Sequence, residues 1–349
     1  MRYAAKMAFA RGMPLKFSAA VVGSFVLGLA MAASARAADD KIFVMKIALA
    51  TIDDGLHQYA KNYAAALARE SGGRIKPEIY PSSQLGSIAR QTEGVQFGAI
   101  QCQIVAPEFL AGIDERFEVL AAPSLVTSMA QGQRLAADPN VIKLMLGLGA
   151  DKGLHGVGLF MNSQSAIAAR SPIRHLADLK GKTIRIFASR FESVAMERLG
   201  AIPKPMTLGG VLPALQDNAL DGAISSIAVF STMRYEKAAR YVTETGQPAI
   251  FIIVEVSRKW FDALPADLQR MVENSAAANS VAINPQTVEI NESARKAWIN
   301  AGGELISLPA DEQAAMLRTL AGVGEEVSKA KPQLRSAYQV VYAAAQNGP

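Results

Sequence analysis

The richest chemistry in the sequence lies with Arg185 and with short polar groups that close strand-like stretches. In Thr183 to Phe187, alternation puts Thr183, Arg185 and Phe187 on one face and Ile184 and Ile186 on the other. A guanidinium there is solvated, paired with an internal acid, or free to grip a carboxylate through two charge-assisted hydrogen bonds. The stretch runs into Ser189-x-x-Glu192, a capping box that predicts a helix start. Ligands of open α/β sheets sit beyond the carboxyl ends of strands, which is where Arg185 falls. Ser225 and Ser226 end another strand, Ala223 to Ser226, and offer hydroxyls to a ligand or only to the strand end. Glu108, after Pro107, reads as a cleft contact or as an acid at a helix start. His57 belongs to the helix after the first strand and suits the surface or a site. Phe160 and Phe230 lie near strands and suit a cleft wall or the core.

Catalytic constellations do not assemble. The three histidines, His57, His155 and His175, lie on separate segments without metal-ligand spacing. Cys102, the single cysteine, lies in the apolar-alternating stretch Ala99 to Val105 and reads as buried and inert. One thiol allows no internal disulfide, so stability must come from the core. There is no G-x-S-x-G elbow, phosphate-binding glycine loop or dinucleotide fingerprint. Gly153-x-x-Gly156-x-Gly158 precedes a strand and reads as a flexible approach to it. Glu108 with His57 is the one titratable pair an enzyme could use. The residues therefore favour a non-enzymatic protein that needs no metal or organic cofactor.

The elements that must position these groups follow an α/β rhythm. Ile42 to Ala50 reads as a strand, and Leu56, Tyr59, Ala60, Tyr63 and Leu67 share one face of a helix stopped by Gly72-Gly73. Ile75 to Ile79 alternates as a strand, Ser87 caps a helix through Phe97, and Ala99 to Val105 is the third strand. The middle repeats the pattern, with Met206-Thr207-Leu208 as a short strand and Leu212 to Gln216 as a helix. Crossovers between two lobes are expected near Met161 and Ile250. From Pro265 the chain reads mostly helical, with a break near Asn284 imposed by Pro285. The helices from about Pro309 to Ala345 are expected to pack back on the lobes.

Composition and charge narrow the class. Half of the 349 residues are hydrophobic, enough for two real cores. Arg2, Lys6, Arg11 and Lys16 form a positive leader, Phe17 to about Ala33 is apolar, and Ala35-Arg36-Ala37 is a small-x-small cleavage signature. A signal peptide over 1–37, cut after Ala37, predicts export to a periplasmic compartment. The leader holds five of the 36 basic residues and no acid, so the mature chain carries 31 basic against 31 acidic groups. That balance lacks the basic excess of a nucleic-acid binder.

Four stretches in order resemble the solute-binding proteins of TRAP (tripartite ATP-independent periplasmic) transporters. They are Gly72-Gly73-Arg74-Ile75 continuing to Tyr80-Pro81-Ser82-Ser83-Gln84-Leu85-Gly86 and Glu93 to Gly98; Asp178 to Ile186; Ala214-Leu215-Gln216 with Leu220-Asp221-Gly222; and Lys259-Trp260-Phe261 with Leu264 to Asp267. The resemblance implies an α/β, two-lobed periplasmic binding protein (type II-like) with crossover strands and a long lobe-spanning helix. It places lobe I in 38–160 plus about 250–289 and lobe II in 161–249 plus about 290–349. It also implies a small carboxylate ligand gripped by Arg185, and partnership of a monomer with the small and large membrane subunits. Two departures stand out. Gln164 and the run Ala166 to Ala169 replace a second arginine, and Ile224-Ser225-Ser226 replaces Glu-Asn-Pro. A less charged ligand than a dicarboxylate is therefore expected, a monocarboxylate with apolar or hydroxylated substituents. A secreted α/β enzyme acting on an organic acid, or a sensor for such an acid, are the alternative readings.

Overall fold

The computed structural model describes residues 41–346, so the expected leader and its cleavage point lie outside the described residues. The chain divides after Ile42, and the unit Phe43–Pro349 carries both sheets.

Strands β1 (Phe43–Ala48) and β2 (Ile75–Tyr80) are joined by helix α1 (Gly55–Glu70). Asp54 caps α1 by accepting from the His57 amide, and Gly72 and Gly73 turn the chain away at positive φ, +61° and +84°. The predicted stripe Leu56, Tyr59, Ala60, Tyr63 and Leu67 is buried. Ser87 then caps α2 (Ile88–Phe97), which leads to β3 (Cys102–Val105). Two helices, α3 (Met129–Ala137) and α4 (Pro139–Leu146), precede β4 (Leu154–Gln164). Gly156 and Gly158 stand inside β4 instead of before it. A Cβ on Gly156 would lie 2.6 Å from the Leu146 Cα, so the glycine lets the end of α4 lie against the strand.

The chain passes through Ser165 into β5 (Ala166–Ala169), then β6 (Thr183–Ile186), α5 (Arg190–Arg198) and β7 (Ile202–Pro205). The strand expected at Met206 to Leu208 thus falls earlier. β7 is an edge strand with two prolines, tolerable only where one side needs no ladder partner. Next come α6 (Val211–Gln216), β8 (Gly222–Ser225), α7 (Ile227–Thr232) and β9 (Tyr241–Glu244). β10 (Ala249–Ser257) returns to the first sheet, followed by α8 (Arg258–Asp262).

The first sheet has the order β2-β1-β3-β10-β4 and is parallel except for β10. The second, completed by β11 (Glu304–Ser307), has the order β11-β9-β5-β8-β6-β7. Two short connections pass directly between the sheets, at Ser165 and at 245–248, and the chain crosses a third time between β10 and β11. The first short connection lies a few residues after the expected Met161 and the second a few before the expected Ile250, because β4 and β10 keep pairing as far as Gln164 with Ala249.

Helices α9 (Ala266–Ala282) and α10 (Asn284–Asn300) form one long rod interrupted at Ile283. Pro285 has no N–H for the helical ladder, which fixes the break where expected. α9 lies on β4 and α1, tied by Tyr59 Oη to the Ala276 carbonyl at 2.9 Å and Tyr63 Oη to the Val272 carbonyl at 3.0 Å. Each such bond contributes about 1 kcal/mol net. α10 lies against α7 and β11, so the rod serves both sheets. Helices α11 (Ala310–Leu320), α12 (Val323–Ser328) and α13 (Pro332–Gln346) end the described chain. The α13 stripe Leu334, Ala337, Tyr338 and Val341 shares a core with Phe117, Leu135 and Met145. No helix among the described residues is long and apolar enough to cross a membrane.

Candidate functional site

Arg185 is 1% exposed, although it is a charged residue in mid-strand. Its neighbours Ile184 and Ile186 face the other way, into a cluster with Ile167, Ile224 and Met196. Nε donates to the Met206 carbonyl at 2.8 Å and Nη1 to the Ile224 carbonyl at 2.9 Å. The guanidinium lies over the Phe187 ring, 4.6 Å from its centroid. Nη2 has no hydrogen-bond partner among the described residues. Its direct hydrogen bonds thus go to two neutral carbonyls, with a ring under the guanidinium and no carboxylate bonded to the fork. Burial lowers its pKa to about 10, which leaves it charged at neutral pH.

Acidic side chains sit behind the fork. Ser189 caps α5, accepting from the Phe191 and Glu192 amides. The reciprocal half of the expected capping box does not form. The Glu192 carboxylate reaches past Ser189 and accepts from the Phe187 amide at 2.9 Å. Glu192 is buried, and burial raises its pKa against the opposing pull of Arg185. Glu108 is buried too and raised well above the carboxylate range, by burial first and then by repulsion from Glu192. Glu118 accepts from the Arg190 amide at 2.6 Å and is raised by burial.

A cavity opens in front of Arg185, its non-atom space of ≈ 490 Å³ running out into open solvent. From the second sheet come Arg185, Phe187, Leu208, Ser225, Ser226 and Val229. The first sheet and its helices give an apolar wall that includes Leu56, Ile88, Ile104, Phe109, Ile250 and Ile252, broken by Thr51 and Asn162. Phe109 stacks on Phe187 with ring centroids 5.4 Å apart, joining the two walls. One cation, a few neutral polar groups and a large apolar surface suit a small anion with an apolar body.

Of the residues singled out from sequence, the cavity gathers Arg185, Ser225 and Ser226. The Ser226 hydroxyl also caps α7, accepting from the Val229 amide at 3.2 Å, whereas the Ser225 hydroxyl makes no hydrogen bond among the described residues. Glu108 lies behind the lining, next to Phe109. Gln164 stands outside it and donates to the Thr127 carbonyl at 3.0 Å. Phe160 stacks on Tyr59 at 4.8 Å inside the first-sheet core. Phe230 packs with Tyr235 and Trp298 in the second-sheet core. His57 stays in the first turn of α1, accepting from the Asp53 amide at 3.1 Å. The aromatics at the cavity are instead Phe109 and Phe187. Asn162, Thr51 and Leu208 also line it and were not anticipated. The polar pair Asn162-Ser163 near the end of an apolar strand was the one local signal.

Two sheets joined by chain crossovers, with a buried arginine on the cavity at their meeting, define the scaffold of a binding protein. The chain belongs to the bacterial extracellular solute-binding proteins, family 7 (DctP), whose model matches residues 49–330. It is 26% identical over 315 residues to the C4-dicarboxylate-binding periplasmic protein DctP of Rhodobacter capsulatus, covering 89% of this chain and 93% of the relative. It is 25% identical over 224 residues to the 2,3-diketo-L-gulonate-binding periplasmic protein YiaO of Escherichia coli, covering 64% and 68%. Among solved structures, the sugar acid binding protein DctPAm of Advenella mimigardefordensis, in complex with galactonate, superposes with a TM-score of 0.82 at 21% identity, covering 88% and 98%. A TRAP periplasmic solute-binding protein of Desulfovibrio salexigens with bound orotic acid gives 0.79 at 22%, covering 87% and 99%.

Proposed function

We propose that this protein is the periplasmic receptor of a TRAP transporter and captures a small organic acid by a single carboxylate seated on Arg185. The observation that carries the ligand class is the fork itself. Arg185 is held by two backbone carbonyls, with Nη2 unpartnered beside the cavity. The described lining offers no second cation for a second carboxylate, and the rest of the wall is apolar or neutral. Relatives named for C4-dicarboxylates and for a diketo sugar acid agree with an acid, and the single charge narrows it to a monocarboxylate.

In this reading the cleft closes because the ligand touches both walls and so binds the closed form better. The closed surface is then presented to the two integral membrane subunits. Glu108 and His57, the pair an enzyme would have needed, both lie off the lining, so the reading as an enzyme gains no support from the site.

Calorimetry with the chain from Ala38 onward, against mono-, di- and keto-acids, tests this. A monoacid at a hundredfold excess over its dissociation constant should add about 2.7 kcal/mol of stability. That gain should vanish in Arg185→Ala and be largely lost in Arg185→Lys. Diacids outcompeting every monoacid would overturn the ligand class.

A further inference from the structure

Asn162 owes its position to an irregularity in the sheet. In the β4–β10 ladder, Met161 pairs with Phe251 and Ser163 pairs with Ile250, so Asn162 is the extra residue of a β-bulge. Bulges re-aim a side chain and leave local backbone groups without ladder partners. Here the freed Asn162 carbonyl accepts from the Asn291 Nδ2 of α10 at 3.1 Å, and Asn291 is anchored in turn on the Thr287 carbonyl at 2.7 Å.

The bulged side chain lines the cavity across from the sheet that carries Arg185. It is 3% exposed and makes no hydrogen bond among the described residues. The neighbouring helix leaves room for it. A Cβ on Gly55, the first residue of α1, would come within 2.1 Å of Asn162 Oδ1. A carboxamide on the cavity wall that loses water when a ligand enters costs free energy unless the ligand pairs with it. An amide can donate and accept but carries no charge.

We infer that Asn162 is a specificity-determining residue that reads a neutral hydrogen-bonding group, a hydroxyl or keto oxygen, on the end of the ligand remote from its Arg185-bound carboxylate. This rests on the receptor reading above and deepens it. An acid with a plain alkyl end leaves the amide unpaired. A diacid brings a second charge to a wall with no cation to meet it.

The test is calorimetry with ω-hydroxy acids of three to six carbons, each beside the plain acid and the diacid of the same length. In the unaltered protein, the best-fitting hydroxy acid should bind roughly three- to tenfold tighter than its plain counterpart, the margin of one neutral hydrogen bond. In Asn162→Leu that margin should collapse while the plain acid still binds. Gly55→Ala leaves Asn162 in the sequence but displaces its amide, and should lose the same preference, which covers a failure of Asn162→Leu to fold. Equal binding of hydroxy and plain acids by the unaltered protein, or a preference that survives either variant, overturns the role of Asn162 and leaves the receptor standing. Binding of none of the monoacids overturns the receptor reading, and this inference with it.

Discussion

The Phe187 amide donates to the Glu192 carboxylate at 2.9 Å, so the residue just past the arginine-bearing strand is bonded to the first turn of the helix that follows. Arg185, Phe187 and Glu192 thereby form one rigid corner. The ring lies under the guanidinium, and the acid sits behind both. Its charge is the main pull that keeps the buried arginine protonated.

This corner makes stability fall with rising pH. Burial holds Glu192 up to about 7, above its ordinary 4.5, and raises Glu108 further. A carboxyl with a raised pKa binds its proton more tightly folded than unfolded. Its contribution is therefore complete below the unfolded value and is lost as pH climbs through the folded one. Between pH 5 and 8 the unfolding free energy, read from urea denaturation, should fall by on the order of 1–3 kcal/mol for Glu192. Glu192→Gln should flatten that slope. An equally steep slope in the variant would assign the effect to other groups.

Ligand affinity should follow the same proton. Ionised Glu192 shares the charge of Arg185, and an arriving carboxylate raises the proton affinity of Glu192. Binding then takes up protons near neutrality and weakens as pH rises from 6 to 8. Titrations in buffers of different ionisation enthalpy would show the uptake, and Glu192→Gln should abolish it.

Phe109 and Phe187 stack from opposite walls, so under the proposed closure their contact would form as the cleft shuts. Such a pair contributes about 0.5–1.5 kcal/mol beyond its buried area. Phe109→Ala and Phe187→Ala should each weaken ligand binding, and the double variant should cost less than the two single losses together. A double-mutant cycle by calorimetry measures that coupling, and strict additivity would place the stack outside the closing motion.

Gly156→Ala should destabilise the fold by roughly 1–3 kcal/mol, because its Cβ would press on the Leu146 backbone, which cannot swing aside as a side chain would. Urea denaturation of the variant against the parent checks this. Gly112→Ala is a control, since a Cβ there meets nothing within 4 Å.

What the sequence determined by itself is what a single turn or a short run controls. Asp54 and Ser87 cap helices because their side chains reach the amides three residues on, and Pro285 breaks the long rod because it lacks an N–H. The alternation around Arg185 set Ile184 and Ile186 into the core and left the guanidinium on the other face. Tertiary structure decided whatever depends on partners far along the chain. The glycines at 156 and 158 lie inside β4 because a distant helix and strand crowd it. Glu192 abandons the cap for Phe187 once burial with Arg185 outweighs a local bond. Phe160 goes to the core against Tyr59, while Asn162, two residues on, reaches the cleft. That last choice comes from the register of β4 against β10, some ninety residues later, and a bulge in register has no local sequence periodicity to announce it.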